Sequence, residues 1–214
     1  MSREASAFEA LFEVLDAGEA DRVMARYAPL AQAVRALIDA TIRTEADDDV
    51  VTATRGAIED VTKLLRQRAR PAGVTFRVND RPLPLGNAVV GPCNPIAPPL
   101  AVRHGDGGRC WSEFVLGQAY EGPPGLVHGG VSALVLDHML GEAASEGLCK
   151  ARFTGTISVK YLRGTPLRPL RCDAWDRPHR RCESVCEGHH FGCERGDRGG
   201  RRRLHRAGLG TGIQ

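Results

Sequence analysis

The triplet His128-Gly129-Gly130 is followed, seven residues after its last glycine, by Asp137 within a stretch that is otherwise apolar and helix-forming. A helix opening at Gly129 or Gly130 leaves its first N–H groups without partners inside the helix, and the peptide dipoles add partial positive charge there. The Gly130 and Val131 amides are therefore candidates to hold a developing oxyanion, with the glycines allowing a substrate to approach closely. Asp137 lies about 10 Å from Gly130 along the axis at ~1.5 Å per residue, too far to serve the same oxygen. It can reach a water, or the carbonyl carbon, from the other side of a substrate lying along the helix. Desolvation among the neighbouring leucines and valines is expected to raise its pKa and strengthen it as a base.

Each of these residues has a plainer role open to it. An isolated helical aspartate is usually solvated, but Val131, Leu134, Val135, Leu136, Met139 and Leu140 cover most of the circumference, the pattern of a helix buried all round. His128 either caps the helix and shapes the turn or touches substrate. Thr154 and Thr156 alternate with Phe153, Gly155 and Ile157, and threonine suits a strand for packing reasons alone.

The string YEGPPGLVHGG at 120–130, followed by ALVLDHMLGEAAS at 133–145 and FTGTISVKYLRGTPL at 153–167, resembles the PaaI-type hotdog thioesterases, including the mammalian THEM-type acyl-CoA thioesterases. The similarity runs from about Pro95 to Leu170. The resemblance implies an α+β hotdog fold, in which an antiparallel sheet wraps a central helix and protomers pair through their sheets. It also implies that acyl-CoA lies at the dimer interface with its thioester over the helix N-terminus. On that basis His128 matches the motif histidine, Gly130 the oxyanion-hole region and Asp137 the general base or nucleophile. Thr154 matches a threonine that the family takes from the partner subunit to place the water, seven residues before the shared Tyr161. One extra residue between Asp137 and Thr154 leaves Thr156 as a substitute. Substrate contacts are expected at His128, Gly129, Gly130, Val131, Thr154 and Thr156. The implied activity is hydrolysis of acyl-CoA to free acid and CoA, in lipid metabolism, by a homodimer or dimer of dimers with no cofactor or metal.

The elements around this site are less uniform. The chain has 214 residues, of which 42% are hydrophobic, enough for one sizeable domain with an appendage. No apolar stretch reaches membrane-spanning length and no secretory signal opens the chain, so a cytoplasmic protein is expected, its seven cysteines reduced. Tyr27, Leu30, Val34, Leu37, Ile38 and Ile42 mark one amphipathic helix, and Val50, Ala53, Ala57, Ile58, Val61, Leu64 and Leu65 a second. The second opens on Asp47-Asp48-Asp49 and closes on Arg66, Arg68 and Arg70, a polarity that suits the helix dipole. Pro71-Ala72-Gly73 ends it, and a Pro-rich connection from Arg81 to Pro99 looks too broken for a central strand. Residues 1–75 therefore read as a helical extension, lying against the hotdog sheet or over the acyl tunnel, and 76–170 as the hotdog domain. Strands are expected at 100–103, 110–120 and 153–162, around a turn at Gly105-Asp106-Gly107-Gly108.

From Arg171 the composition changes. The tail 171–214 has ten arginines against six acidic residues, no lysine, four of the seven cysteines and four of the seven histidines, so the chain's net charge of +3 sits there. No period of two or 3.6 survives, and the segment is expected to be disordered, leaving the hotdog domain without its last two strands. Cys182, Cys186, His189 or His190, and Cys193 have zinc-binding side chains, but not at a standard spacing. The arginines lack the interleaved aromatics of a nucleic-acid surface, so no nucleic-acid partner is expected. A shift of reading frame near Arg171 explains the tail better. Trp175 followed by Asp176, re-read one base on, must give glycine, and 175–206 can then be read as two β-rich runs around a Glu-Gly turn. Sequencing the coding DNA across codons 168 to 176 decides this, and such a product would be impaired. Besides acyl-CoA hydrolysis, two other roles stay open: binding acyl-CoA without hydrolysing it, and a metal or nucleic-acid interaction through the tail.

Overall fold

The computed structural model describes residues 12–70, 75–79, 81–145, 147, 153–175 and, as backbone, 183–188. Its elements in order are β1 (Phe12–Val14), α1 (Ala17–Arg43), α2 (Asp48–Arg66), β2 (Thr75–Val78), β3 (Arg81–Leu83), β4 (Arg103–His104), β5 (Arg109–Val115), α3 (Gly129–Ala144), β6 (Pro169–Trp175) and β7 (Glu183–Gly188). Short 3-10 turns at Asp106–Gly108 and Gln118–Tyr120 bracket β5.

The main sheet runs β4-β5-β6-β7, every pair antiparallel. Alternation decides its two faces. Cys110, Ser112 and Phe114 of β5 and Leu170, Cys172 and Ala174 of β6 point inward and are buried. Ser112 pairs with Cys172 and Cys110 with Ala174, so the centre of the inner face carries only small side chains. That lets α3 lie close across the sheet, with Met139 fully buried and the Cys110 Sγ donating to its carbonyl oxygen at 3.4 Å. On the outer face, Arg171 bonds Glu113 at 2.7 Å and Asp173 at 2.7 Å, and Arg109 bonds Asp173 at 2.6 Å. This α+β arrangement, an antiparallel sheet packed on one long helix with helices preceding it, agrees with the expected fold class.

Several boundaries differ from the sequence reading. α1 begins ten residues before Tyr27, where Asp16 and Glu19 close a capping box (2.7 and 3.1 Å), and it runs through Pro29 despite the amide that proline lacks. The Pro-rich connection contributes β3, which tolerates Pro82 because it is an edge strand. β1 pairs in parallel with β2, so the chain on either side of residue 75 is joined in one small sheet. The strand expected at 100–103 is reduced to Arg103–His104, and the one expected at 110–120 stops at Val115 before the Gln118–Tyr120 turn. Residues 153–162 carry no strand ladder among the described residues, yet burial still alternates, with Ile157 and Val159 turned to the core and Ser158 and Lys160 exposed. The expected strand is patterned, but among the described residues it forms no ladder and takes part in sheet pairing only through a bridge at Thr156.

β6 crosses Arg171 without interruption and β7 lies beyond it, so the change of composition does not mark the end of regular structure. The remainder of the tail, with Cys182, His189, His190 and Cys193, lies outside the described residues, as does Pro71-Ala72-Gly73. Among the described residues no helix is long and apolar enough to cross a membrane.

α1 packs over the loops that lead to α3. The Arg35 guanidinium donates to the Asn94 and Ala97 carbonyls at 3.3 and 3.4 Å, and Asp39 accepts from the Gln118 N–H at 3.4 Å. Tyr120, buried between them, donates its hydroxyl to the Ala97 carbonyl at 2.9 Å.

Candidate active site

The start of α3 is held by its own approach loop. The His128 N–H donates to the Tyr120 carbonyl at 2.9 Å and the Val127 N–H to the Thr165 carbonyl at 2.8 Å. Between Glu121 and Val127 the chain reverses through Gly125, whose φ of +74° favours glycine, and whose N–H is taken by the Glu121 carboxylate at 2.6 Å. Gly122 is required for a different reason: a Cβ there would lie 2.8 Å from the His128 Cα.

His128 is the N-cap. Its Nδ1 accepts from the Gly130 N–H at 3.0 Å, and its carbonyl accepts from the Val131 N–H at 2.9 Å and the Ser132 N–H at 3.1 Å. Of the two roles open to His128, capping is thus present, and the accepting Nδ1 assigns the ring hydrogen to Nε2. The same bonds alter the expected oxyanion hole, because both candidate donors, Gly130 and Val131, are already engaged. Among the described residues, the Gly129 N–H is the first-turn donor left without a protein acceptor. Tyr161, unassigned from sequence except as a shared residue, packs on this helix start and donates its hydroxyl to the Gly129 carbonyl at 2.8 Å.

Asp137 is half-buried, and its Oδ1 is fully enclosed with no hydrogen-bond partner. An enclosed carboxylate oxygen without a donor costs about 1–3 kcal/mol or more, so the fold gains nothing from it. α3 is not buried all round, however. Val135, Leu136, Met139 and Leu140 are buried, while Leu134 is exposed and Val131 half-buried, leaving the first turns open on one side. Thr154 and Thr156 are exposed, and neither hydroxyl satisfies Asp137 Oδ1 within the chain.

Just over a turn beyond Asp137 lies a buried polar cluster that the sequence reading did not pick out. Glu142 on α3 bonds the His104 Nε2 of β4 at 3.0 Å and stands 3.3 Å from the His138 Nε2. Burial by itself pushes the Glu142 carboxyl up, but the His138 and His104 rings outweigh it and hold the group below its ordinary value. The i, i+4 spacing of His138 and Glu142 was the available signal.

A solved structure described as a thioesterase superfamily protein superposes on this chain with a TM-score of 0.63, at 30% identity over 75% of this chain and 85% of that one. The chain belongs to the thioesterase superfamily. Its domain has the hotdog fold expected from the motif, with α3 as the central helix. Other solved structures match over less of the chain. Zebrafish thioesterase superfamily member 2 is 14% identical over 53% of this chain and 80% of its own (TM-score 0.40). The PaaI protein of the E. coli phenylacetic acid degradation operon is 14% identical over 41% and 68% (TM-score 0.34). No protein-family model and no curated protein matches the sequence. This thioesterase-superfamily chain therefore presents, on its central helix, a capped glycine start and an enclosed, unpartnered carboxylate.

Proposed function

We propose that this chain is an acyl-CoA thioesterase, with Asp137 as general base or nucleophile. The observation that carries the reading is the enclosed Asp137 Oδ1 without a donor, on the central helix of a thioesterase-superfamily fold. As general base, Asp137 takes a proton from water as its oxygen adds to the thioester carbon. Collapse of the tetrahedral intermediate then breaks the C–S bond, and CoA leaves as thiol with the proton returned. The Gly129 N–H is free to meet the oxyanion, and Gly130 joins it when the His128 ring gives way. His128 is exposed, and its Nε2–H is the donor it offers to substrate.

Thr154, or Thr156, orients the water from the partner subunit of a homodimer or dimer of dimers. Support for an assembled site comes from the exposure of Leu134 on α3 and of Tyr161 beside its first turn. The division into a helical extension, a hotdog domain and a basic tail, and a cytoplasmic location, belong to the same reading. Thioester hydrolysis measured over short, aryl and long-chain acyl-CoAs tests it; no turnover with any of them rejects it.

A second reading, acyl-CoA binding without hydrolysis, draws support from the engaged Gly130 and Val131 amides. Saturable acyl-CoA binding with no loss of thioester separates it from the first.

A further inference from the structure

The helix α2 has no buried residue along its whole length of 19. Val50, Val51, Ile58, Val61, Leu64 and Leu65 are between 38 and 62% exposed. Positions 51, 54, 58, 61 and 65, and equally 50, 54, 57, 61 and 64, step by threes and fours, so these side chains form one narrow seam of the kind that seats a second helix. The helix also carries Gly56 and seven β-branched residues, which lower its intrinsic propensity, and a helix of this length is marginal in water without packing.

Its charges say what covers the seam. The opening residues Asp47 and Asp49 and the closing residues Arg66 and Arg68 have no ion-pair partner among the described residues, whereas Arg55–Glu59 and Asp60–Lys63 pair within the helix. Turned end for end on itself with Ala57 and Ile58 at the crossing, the sequence is self-complementary. Val50 then meets Leu65, Val51 meets Leu64, and Thr54 meets Val61, while Asp47 and Asp49 fall opposite Arg68 and Arg66. A parallel pair would instead stack like charges at both ends. A twofold axis makes such a contact the same on both sides, which is the geometry of a closed dimer.

We propose that α2 pairs antiparallel with α2 of a second copy of this chain, forming an interface separate from the site on α3. Association measured by sedimentation velocity on the full chain is expected to weaken at least tenfold in Val61→Asp, halving the assembly's mass. The charge-reversed chain Asp47→Lys/Asp49→Lys, whose changes are at exposed positions, is expected to weaken it similarly. Adding Arg66→Glu/Arg68→Glu to that same chain restores opposite charges across the axis and should recover the parental dissociation constant. Co-expressed Val50→Cys and Leu65→Cys chains should form a 50–65 disulfide, identified by peptide mass because native cysteines are also present.

Parental association in both Val61→Asp and the charge-reversed chain overturns the proposal, as does failure of the four-fold charge swap to rescue. A 50–50 disulfide in place of 50–65, or protection of the seam by another segment of the same chain, overturns it equally.

Discussion

Asp137→Asn separates a functional carboxylate from a structural one, because the two readings predict opposite changes in stability. The carboxylate Oδ1 is enclosed without a donor. An unsatisfied buried polar group costs about 1–3 kcal/mol, more when charged, and asparagine keeps the shape while removing the charge. The variant should therefore be as stable as the parent or more so; for a chain of this size each kcal/mol moves Tm by about 2–4 °C. Activity should move the other way. Loss of a positioned general base lowers the rate by roughly 10²–10⁴-fold, about 3–5 kcal/mol of transition-state stabilisation. Hydrolysis is best followed by thioester absorbance, since the chain's seven cysteines react with thiol reagents. A folded Asp137→Asn protein that turns over within threefold of the parent, or one whose Tm falls by several degrees, refutes the assignment.

Three further outcomes are expected. His128→Ala should lose about 0.5–2 kcal/mol with the cap, and His128→Asn should recover most of it; thermal melts check this, and activity restored along with stability would mean that Nε2 contributes nothing to substrate. Gly122→Ala, whose Cβ would lie 2.8 Å from the His128 Cα, should cost about 1–3 kcal/mol and disturb activity, while Gly86→Ala, with nothing within 4 Å, should stay within about 0.5 kcal/mol. Glu142 has a folded-state pKa below its ordinary value, so its stabilisation is present above the unfolded carboxylate pKa and lost as pH falls through the lower folded one. The stability gap between parent and Glu142→Gln should accordingly be full near neutrality and close in acid; a gap that does not change with pH contradicts the pairing with His104 and His138.

The central helix was legible because three independent signals agreed: Pro-Gly punctuation before it, a cap residue at its start and a run of good helix formers within it. The structure opens it at Gly129, one of the two positions expected. What the residues could not reveal was which first-turn amides would be free. That depends on the rotamer of the His128 ring, which turns Nδ1 onto Gly130 and leaves Gly129 as the open donor. Glu142 was missed for a related reason: a glutamate near a helix end reads as solvated until β4, distant in sequence, brings His104 to it. The strand ends were misjudged where tertiary neighbours override local pattern. β6 packs Leu170, Cys172 and Ala174 inward on both sides of the residue where composition changes, because a strand needs alternate small or apolar positions and not an apolar average.

The segment 153–162 joins these observations. Its inward residues Ile157 and Val159 pack on the core, its outward ones are exposed, and it has no ladder partner among the described residues. Where a strand-patterned segment forms no ladder, its remaining backbone donors and acceptors can pair with another strand. The same segment carries Thr154 and Thr156 at one end and, at the other, the Tyr161 hydroxyl that bonds the Gly129 carbonyl. Whatever strand completes this edge therefore acts at once on the threonines proposed to place water and on the tyrosine that steadies the helix start. The enclosed oxygen of Asp137 needs a donor that the single chain does not supply. In a site built from two copies, pairing along this edge and satisfying that oxygen are one event, which is why assembly and catalysis are expected to fail together.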